Sequence, residues 1–310
     1  MILLGEVVMA PELVAPYFGT EEKPECHLLY NVTTMATTWH TVATKDVRLL
    51  RKQLDIVSRL PKQHIFQNYL RCHDDIGWGL DYSTLREYGM EEVAHKQYLN
   101  DYFRGFTGST SRGALYNEDP LTKDARFCGT TASLCGMEVE DNTEDAVRLD
   151  LMLHAMMFFQ SGIPVLYSGD EIGQCNDWSY RDDPNKVQDS RYLHRGKMDW
   201  NRAEAANDPS SIPGQVFTGL KELMTLRKRE KAFSAMADVW TWDTGSQEIL
   251  GVGRWFENEG ILGIFHFGNN TQTVALPEGV FRNLLTGRIV SETVTLDRFG
   301  FVWLKQEETV

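Results

Sequence analysis

Apolar and polar positions follow two rhythms along this chain, with the change near residue 233. Ile2 to Met9 is an apolar run rich in β-branched residues, broken only by Gly5 and Glu6, the pattern of a strand buried on both faces. Pro11 then opens a short helix. Between Met35 and Leu60 the apolar residues Met35, Trp39, Val42, Val47, Leu50, Leu54 and Val57 recur at helical spacing above a basic surface, and Pro61 ends the run. IFQNYLRCHDDIGW reads as a second strand entering a polar turn. Residues 79–144 are rich in Gly, Asn, Asp, Ser and Tyr without a regular period, which predicts an inserted excursion. Helical spacing returns in EDAVRLDLMLHAMMFFQSG up to Gly162, the strand IPVLYSGDEIG follows, and Gly214 to Lys231 forms a last amphipathic helix. Strand and helix alternate, which predicts a parallel sheet with helices outside it.

From Phe233 the texture becomes short alternating strands, ILGVGRWF, GILGIFHF, TQTVAL and FVWLKQ, separated by Gly- and Asn-rich turns, as in a small antiparallel β domain. The chain thus divides into a first α/β part (1–78), an inserted subdomain (79–144), a second α/β part (145–232) and an all-β domain (233–310).

With 310 residues, 42% of them hydrophobic and 24% charged, the chain is long enough for more than one domain. A formal net charge of −13 opposes a polyanionic partner, so nucleic acid and anionic membrane are excluded as expectations. Five cysteines, without a CxxC pair or metal spacing, argue against a disulfide framework or zinc and for reduced thiols in a cytoplasm. The N-terminal apolar run lacks a basic segment and meets Glu6 too soon for a signal peptide or a membrane span. No D-x-D-x-D spacing suggests calcium, and no metal or cofactor is expected.

Candidate chemistry sits at strand ends: Glu6, the triplet His73, Asp74 and Asp75, and the polar run ending at Arg191. In an α/β barrel the loops after the strands build the active site, and glycoside cleavage needs carboxylates there. From residue types alone, a cap or edge role for these carboxylates remains open.

The order and wording of the motifs go further. LLGEVVMAPELVAPYFG, LLYNVTTMATTWHTVATKDVRLL, NYLRCHDDIGW, IPVLYSGDEIG and NKVQDSRYLHR together resemble the amylosucrase-like branch of glycoside hydrolase family 13, in the alpha-amylase superfamily. The resemblance covers nearly the whole chain and is most specific at RCHDDIGW and at GDEIG followed by DSRYLHR. It implies the C-terminal half of a (β/α)8 TIM barrel, strands 5 to 8, with an inserted subdomain and then a small antiparallel β-sandwich.

It also implies roles. Glu6 is similar to the general acid/base, Asp74 to the transition-state stabiliser, and His73 to a histidine bonding the same sugar. Arg191 resembles the arginine that closes a one-glucosyl pocket through an ion pair, Asp75 and Arg126 match positions on the fructosyl or acceptor side, and Lys96 stands where an arginine is usual. Asp170 and Glu171 are implied to support their loop. The resemblance places the nucleophile on a strand before the one bearing Glu6, so this chain contains none; the R-x-D text at Asp150 lies in a helical stretch and is rejected.

The implied activity is retaining glucosyl transfer from sucrose to α-glucan or water, absent from the chain alone because the nucleophile strand is missing; a separate N-terminal half chain is one candidate source of that strand. Two alternatives stay open. One is an amylase-like hydrolase of maltooligosaccharides. The other is a noncatalytic carbohydrate-binding half-barrel that uses Trp78, Tyr82, Tyr88, Tyr98, Tyr102, Phe103, Phe106 and Tyr116 as a stacking surface.

Overall fold

The computed structural model describes residues 1–9 and 11–307. The chain begins with β1 (Leu4–Gly5), α1 (Pro11–Val14), β2 (Leu28–Tyr30), α2 (Val32–Thr44), α3 (Arg48–Arg59) and β3 (Ile65–Asn68). An excursion follows: β4 (Ile76–Gly77), α4 (Tyr82–Glu87), α5 (Glu92–Phe103), β5 (Ala114–Tyr116), β6 (Arg126–Cys128) and α6 (Thr131–Leu134). The chain returns through α7 (Thr143–Phe159), β7 (Ile163–Pro164), α8 (Trp200–Ala205) and α9 (Ile212–Arg229). Last come β8 (Asp238–Trp242), β9 (Ile249–Phe256), β10 (Glu259–His266), β11 (Gln272–Asn283), β12 (Ile289–Leu296) and β13 (Phe301–Gln306).

Strands β1, β2, β3 and β7 pair in that order, all parallel, as the strand and helix alternation predicts. β2 carries only three residues between loop and helix, too few to show a period of two, and the pattern of apolar positions had not revealed it. The long helical stretch is two helices, not one. Lys45 takes a left-handed conformation after α2, and Asp46 restarts the chain by accepting the Arg48 N–H at 3.0 Å. The apolar spacing runs across this break because both helices bury a face in the same core. Buried threonines on α2 satisfy themselves: the hydroxyls of Thr38 and Thr41 donate to the carbonyls of Thr34 and Thr37.

In the excursion β4, β6 and β5 form a small antiparallel sheet over a cluster of rings. Trp78 stacks on Phe127 at 4.8 Å and Phe103 on Phe127 at 4.5 Å, with the fully buried Trp39 edge-on to both phenylalanines. This corrects most of the expected sugar-stacking surface: Trp78 and Phe103 are core, and Tyr82, Tyr88 and Tyr102 pack against it, while Tyr98 and Phe106 stay exposed. An aromatic ring buries more apolar area than any other side chain, so clustered rings favour a core.

The C-terminal strands join in one curled six-stranded antiparallel sheet, in the order β12-β11-β13-β10-β9-β8, rather than the expected two-sheet sandwich. β11 is long and its register shifts between Ala275 and Val280, so it pairs with β12 along its length and with β13 at its far end, bending the sheet without splitting it. One face carries its own core of Ile249, Leu262, Ile264, Phe281 and Leu304. Leu250, Ile261, Phe265 and Trp303 belong to the core that also holds Phe159 of α7 and Phe233. At that seam Arg254, fully buried, donates to the carbonyls of Ala232, Phe159 and Ser234 at 2.8–2.9 Å.

Among the described residues the parallel sheet has two unpaired edges, the outer side of β1 and the outer side of β7. Apolar residues stand exposed there, Ile2 at 73% and Ile163 at 45%. Unpaired edges with apolar side chains are templates for further pairing.

Candidate active site

Beneath the turn that follows β3, two buried contacts fix the backbone. The indole of Trp39 donates to the Leu70 carbonyl at 2.7 Å, and Arg71 pairs with Asp170 at 2.8 Å, both charged groups 3% exposed or less. Asp170 comes from the GDEIG loop after β7, so the pair ties two strand-end loops together, and Glu171 closes its own turn by accepting the Gly169 N–H at 2.8 Å. The Arg71 guanidinium also lies over the Tyr167 ring. Deeper still, Asp150 on α7 is fully buried and pairs with His154 at 3.1 Å. Burial pushes the Asp150 carboxyl up. Burial also opposes a charge on His154, but Asp150 outweighs it and raises the imidazole.

On this base His73 and Asp74 reach the surface, while the Asp75 side chain is nearly buried. The Asp74 carboxylate meets Arg195 at 3.0 Å, Arg191 at 3.5 Å and the His73 ring at 3.2 Å. Arg195 also donates to the His73 carbonyl, and the His194 ring lies 3.2 Å from the same oxygen. Burial, helped by the charge of Arg71, lowers His194 to about 4, which leaves its imidazole neutral at pH 7.

Arg191 has a carboxylate partner two residues before it. Its guanidinium forks onto Asp189 through two bonds of 2.9 Å, and this ion pair holds the Asp189 carboxyl below its usual range. Tyr116 lies 4.8 Å under that guanidinium, and Ser190 donates to the Leu115 carbonyl, so the run after β7 docks on β5 of the excursion. Arg126 approaches Asp75 at 3.4 Å. Lys96 lies apart, paired with Glu92 and Asp124.

Glu6 follows β1 directly and is exposed. Burial first, then Cys72, Glu6, Tyr30 and Asp74, raise the buried Tyr69 hydroxyl; Glu6 and Asp74 also act on the Cys72 thiol. β1 and β3 run parallel through β2, so Glu6 and Asp74 both leave the sheet at the ends of their strands on the same side. His73, Asp74 and Arg191 come together and Asp75 pairs with Arg126, while Glu6 makes no described contact with them.

Arg195 and Asp189 had gone unread in the sequence. The signal was available: Asp189 and Arg195 open and close the same DSRYLHR run that carries Arg191. A polar cavity of about 870 Å³, lined by Asp177, Asp183, Tyr192, Arg195 and Lys197, opens beside Arg195. All five cysteines are free, and no group of three or more metal-ligating side chains occurs among the described residues. No described helix is long and apolar enough to cross a membrane.

No protein-family model matches the chain. Among curated proteins, glucosylglycerate phosphorylase of Escherichia coli K12 is 22% identical over 295 residues, covering 93% of this chain and 50% of that protein. The chain thus spans about half the length of the curated relatives it matches. Among solved structures, AmyP bound to maltotriose superposes with a TM-score of 0.67 at 14% identity, over 99% of this chain and 56% of its own. Sucrose 6F-phosphate phosphorylase from Thermoanaerobacter thermosaccharolyticum gives 0.62 at 19% identity, over 95% and 51%. The fold, an α/β body followed by a β-sheet domain, is one that solved alpha-amylases share.

Proposed function

We propose that the chain is the C-terminal half of a (β/α)8 barrel of glycoside hydrolase family 13, and that it carries the leaving-group side of a retaining glucosyl-transfer site for sucrose. The observation behind this reading is the Asp74 carboxylate, held among His73, Arg191 and Arg195 at the same sheet end as Glu6. A carboxylate fixed by three cationic or hydrogen-bonding neighbours is preorganised to accept bonds from sugar hydroxyls and to face positive charge growing at the anomeric carbon.

In this scheme Glu6 gives its proton to the fructosyl oxygen as the glucosyl C1–O bond breaks. A carboxylate from outside these 310 residues attacks C1, forming a glucosyl ester. Glu6, now a carboxylate, takes the proton of the acceptor hydroxyl as that oxygen attacks C1 and frees the nucleophile. Arg191 and Asp189 close the pocket, and Asp75 and Arg126 border the fructosyl or acceptor side. The acceptor is an α-glucan or water, with no cofactor. A separate N-terminal half chain that pairs with β1 and β7 would supply the nucleophile.

A second reading changes only the acceptor. Both the glucosylglycerate and the sucrose 6F-phosphate enzymes are named as phosphorylases, which favours inorganic phosphate attacking C1 and leaving as glucose 1-phosphate.

Calorimetric titration of the chain and of Asp74→Ala with sucrose and with maltose tests the pocket. The expected result is sucrose binding that Asp74→Ala abolishes; maltose binding without sucrose binding would reassign the chain to the hydrolase of maltooligosaccharides. Product analysis with the nucleophile-bearing half present, with and without phosphate, separates glucan growth, glucose release and glucose 1-phosphate.

A further inference from the structure

The C-terminal sheet carries an aromatic surface that the chemistry above leaves unused. Trp240 and Trp242 alternate on β8 and point to one face, and Trp255 on β9 points to the same face. Each indole has a glycine as its direct cross-strand partner: Trp240 opposes Gly253, Trp242 opposes Gly251 and Trp255 opposes Gly260. The rings lie over those glycines, because a β-carbon added at Gly253 would come within 2.2 Å of the Trp240 ring, at Gly251 within 2.5 Å of Trp242, and at Gly260 within 2.8 Å of Trp255.

Any side chain at these glycines would lift the indole, so the sheet is built to let the rings lie down. Trp240 and Trp255 nevertheless remain 40% and 41% exposed, an unusual loss of burial for the largest apolar side chain. A groove of about 270 Å³ runs along all three, walled on its other side by Pro277 and Glu278 at the β11 bulge and by Gln306.

We infer that this groove is a second carbohydrate site, separate from the Asp74 cluster, that takes an α-linked glucan chain. Flat indoles with one open side offer their π faces to the axial C–H bonds of a pyranose ring. Glu278 and Gln306 at the rim supply an acceptor and an amide for its hydroxyls. The groove is shallow and open, which suits one or two rings of a longer chain better than an enclosed monosaccharide. The acidic chain disfavours an anionic ligand in the same place. The choice of an α-glucan rests on the proposed function; the existence of the platform does not.

The test is titration of the chain with maltoheptaose, together with its retardation in amylose-containing native gels. Trp240→Ala with Trp255→Ala should weaken maltoheptaose binding roughly tenfold or more and abolish retardation. Trp240→Tyr, which keeps a flat ring, should stay within about threefold of the parent and shows that loss in the alanine variant is not misfolding. Trp200→Ala removes a tryptophan that is 76% exposed elsewhere and should change nothing. In an Asp74→Ala background, where glucan held at the proposed active site is weakened, the two tryptophan changes should still abolish retardation, and sucrose binding that fails while this tryptophan-dependent retardation persists would sink only the proposed active site. Maltoheptaose binding that survives the double tryptophan variant, or no binding by the parent, overturns the platform.

Discussion

The Arg71–Asp170 pair should be the most sensitive point beneath the site. Replacing Arg71 with Leu keeps most of the apolar stem but removes the 2.8 Å charged bond, the bond to the Ser168 carbonyl and the stack on Tyr167. The hydrogen bond to a charged group contributes about 1.5–3 kcal/mol and the ring contact about 0.5–2 kcal/mol. Asp170 would then share a closed interior with Asp150, whose side chain is 0% exposed, and would lose its cation. Breaking a buried pair in this way costs about 3–5 kcal/mol, in line with the sum of the lost contacts. For a chain of this size that corresponds to a melting temperature lower by roughly 5–8 °C. Thermal and urea unfolding followed by circular dichroism would read it, with the urea slope unchanged. Arg71→Leu combined with Asp170→Leu should recover more than half of the loss, since no charge is then stranded. A single variant within about 1 kcal/mol of the parent, or a double variant as unstable as the summed singles, would refute the reasoning.

Acid should unfold the chain early. His40 and His95 are lowered to about 3 and 4 by burial, and His194 to about 4, so the unfolded chain protonates these rings first, at about 6.5. Stability therefore falls as pH drops below 6.5 towards those folded values, by up to about 1.4 kcal/mol per pH unit for each ring, and a urea-midpoint profile flat from pH 7 to 4 would contradict this. The chain alone should release no fructose from sucrose above a Glu6→Gln control; a clear excess would mean the nucleophile is already present. Gly253→Ala should displace Trp240 and lower maltoheptaose affinity without touching any sugar-facing group, which the same titration would show.

Much of the architecture was legible because the signals are local. Helix α7 and strands β9 and β10 form where the apolar pattern places them, although each is buried on nearly every side rather than on one face. The run at Ile2–Met9 misleads, since only Leu4–Gly5 is strand and Ile2, Leu3, Leu4 and Val8 stand exposed instead of buried on both faces. The short β2 carried too little pattern, and the break at Lys45 was hidden because α2 and α3 face one core. At the site, His73, Asp74 and Arg191 stood out as charged residues at strand ends. Arg195 did not, since its meaning depends on a loop folding back over β3 from more than a hundred residues away, whereas the fork of Asp189 onto Arg191 spans only two residues. The three tryptophans were equally mute in the text: only the register that sets each against a glycine turns them into a platform.

Arg254 has a consequence for how such a chain could change over generations. Its guanidinium is satisfied by carbonyls belonging to α7 and to the link before β8, and its own strand shares apolar packing with both. A foreign β-sheet grafted behind residue 233 would leave those carbonyls without donors, and the α/β body left alone would open Phe159 and Phe233 to water. Exchange at this seam therefore demands simultaneous change on both sides, and the sheet is inherited with the body it leans on rather than traded as a free module.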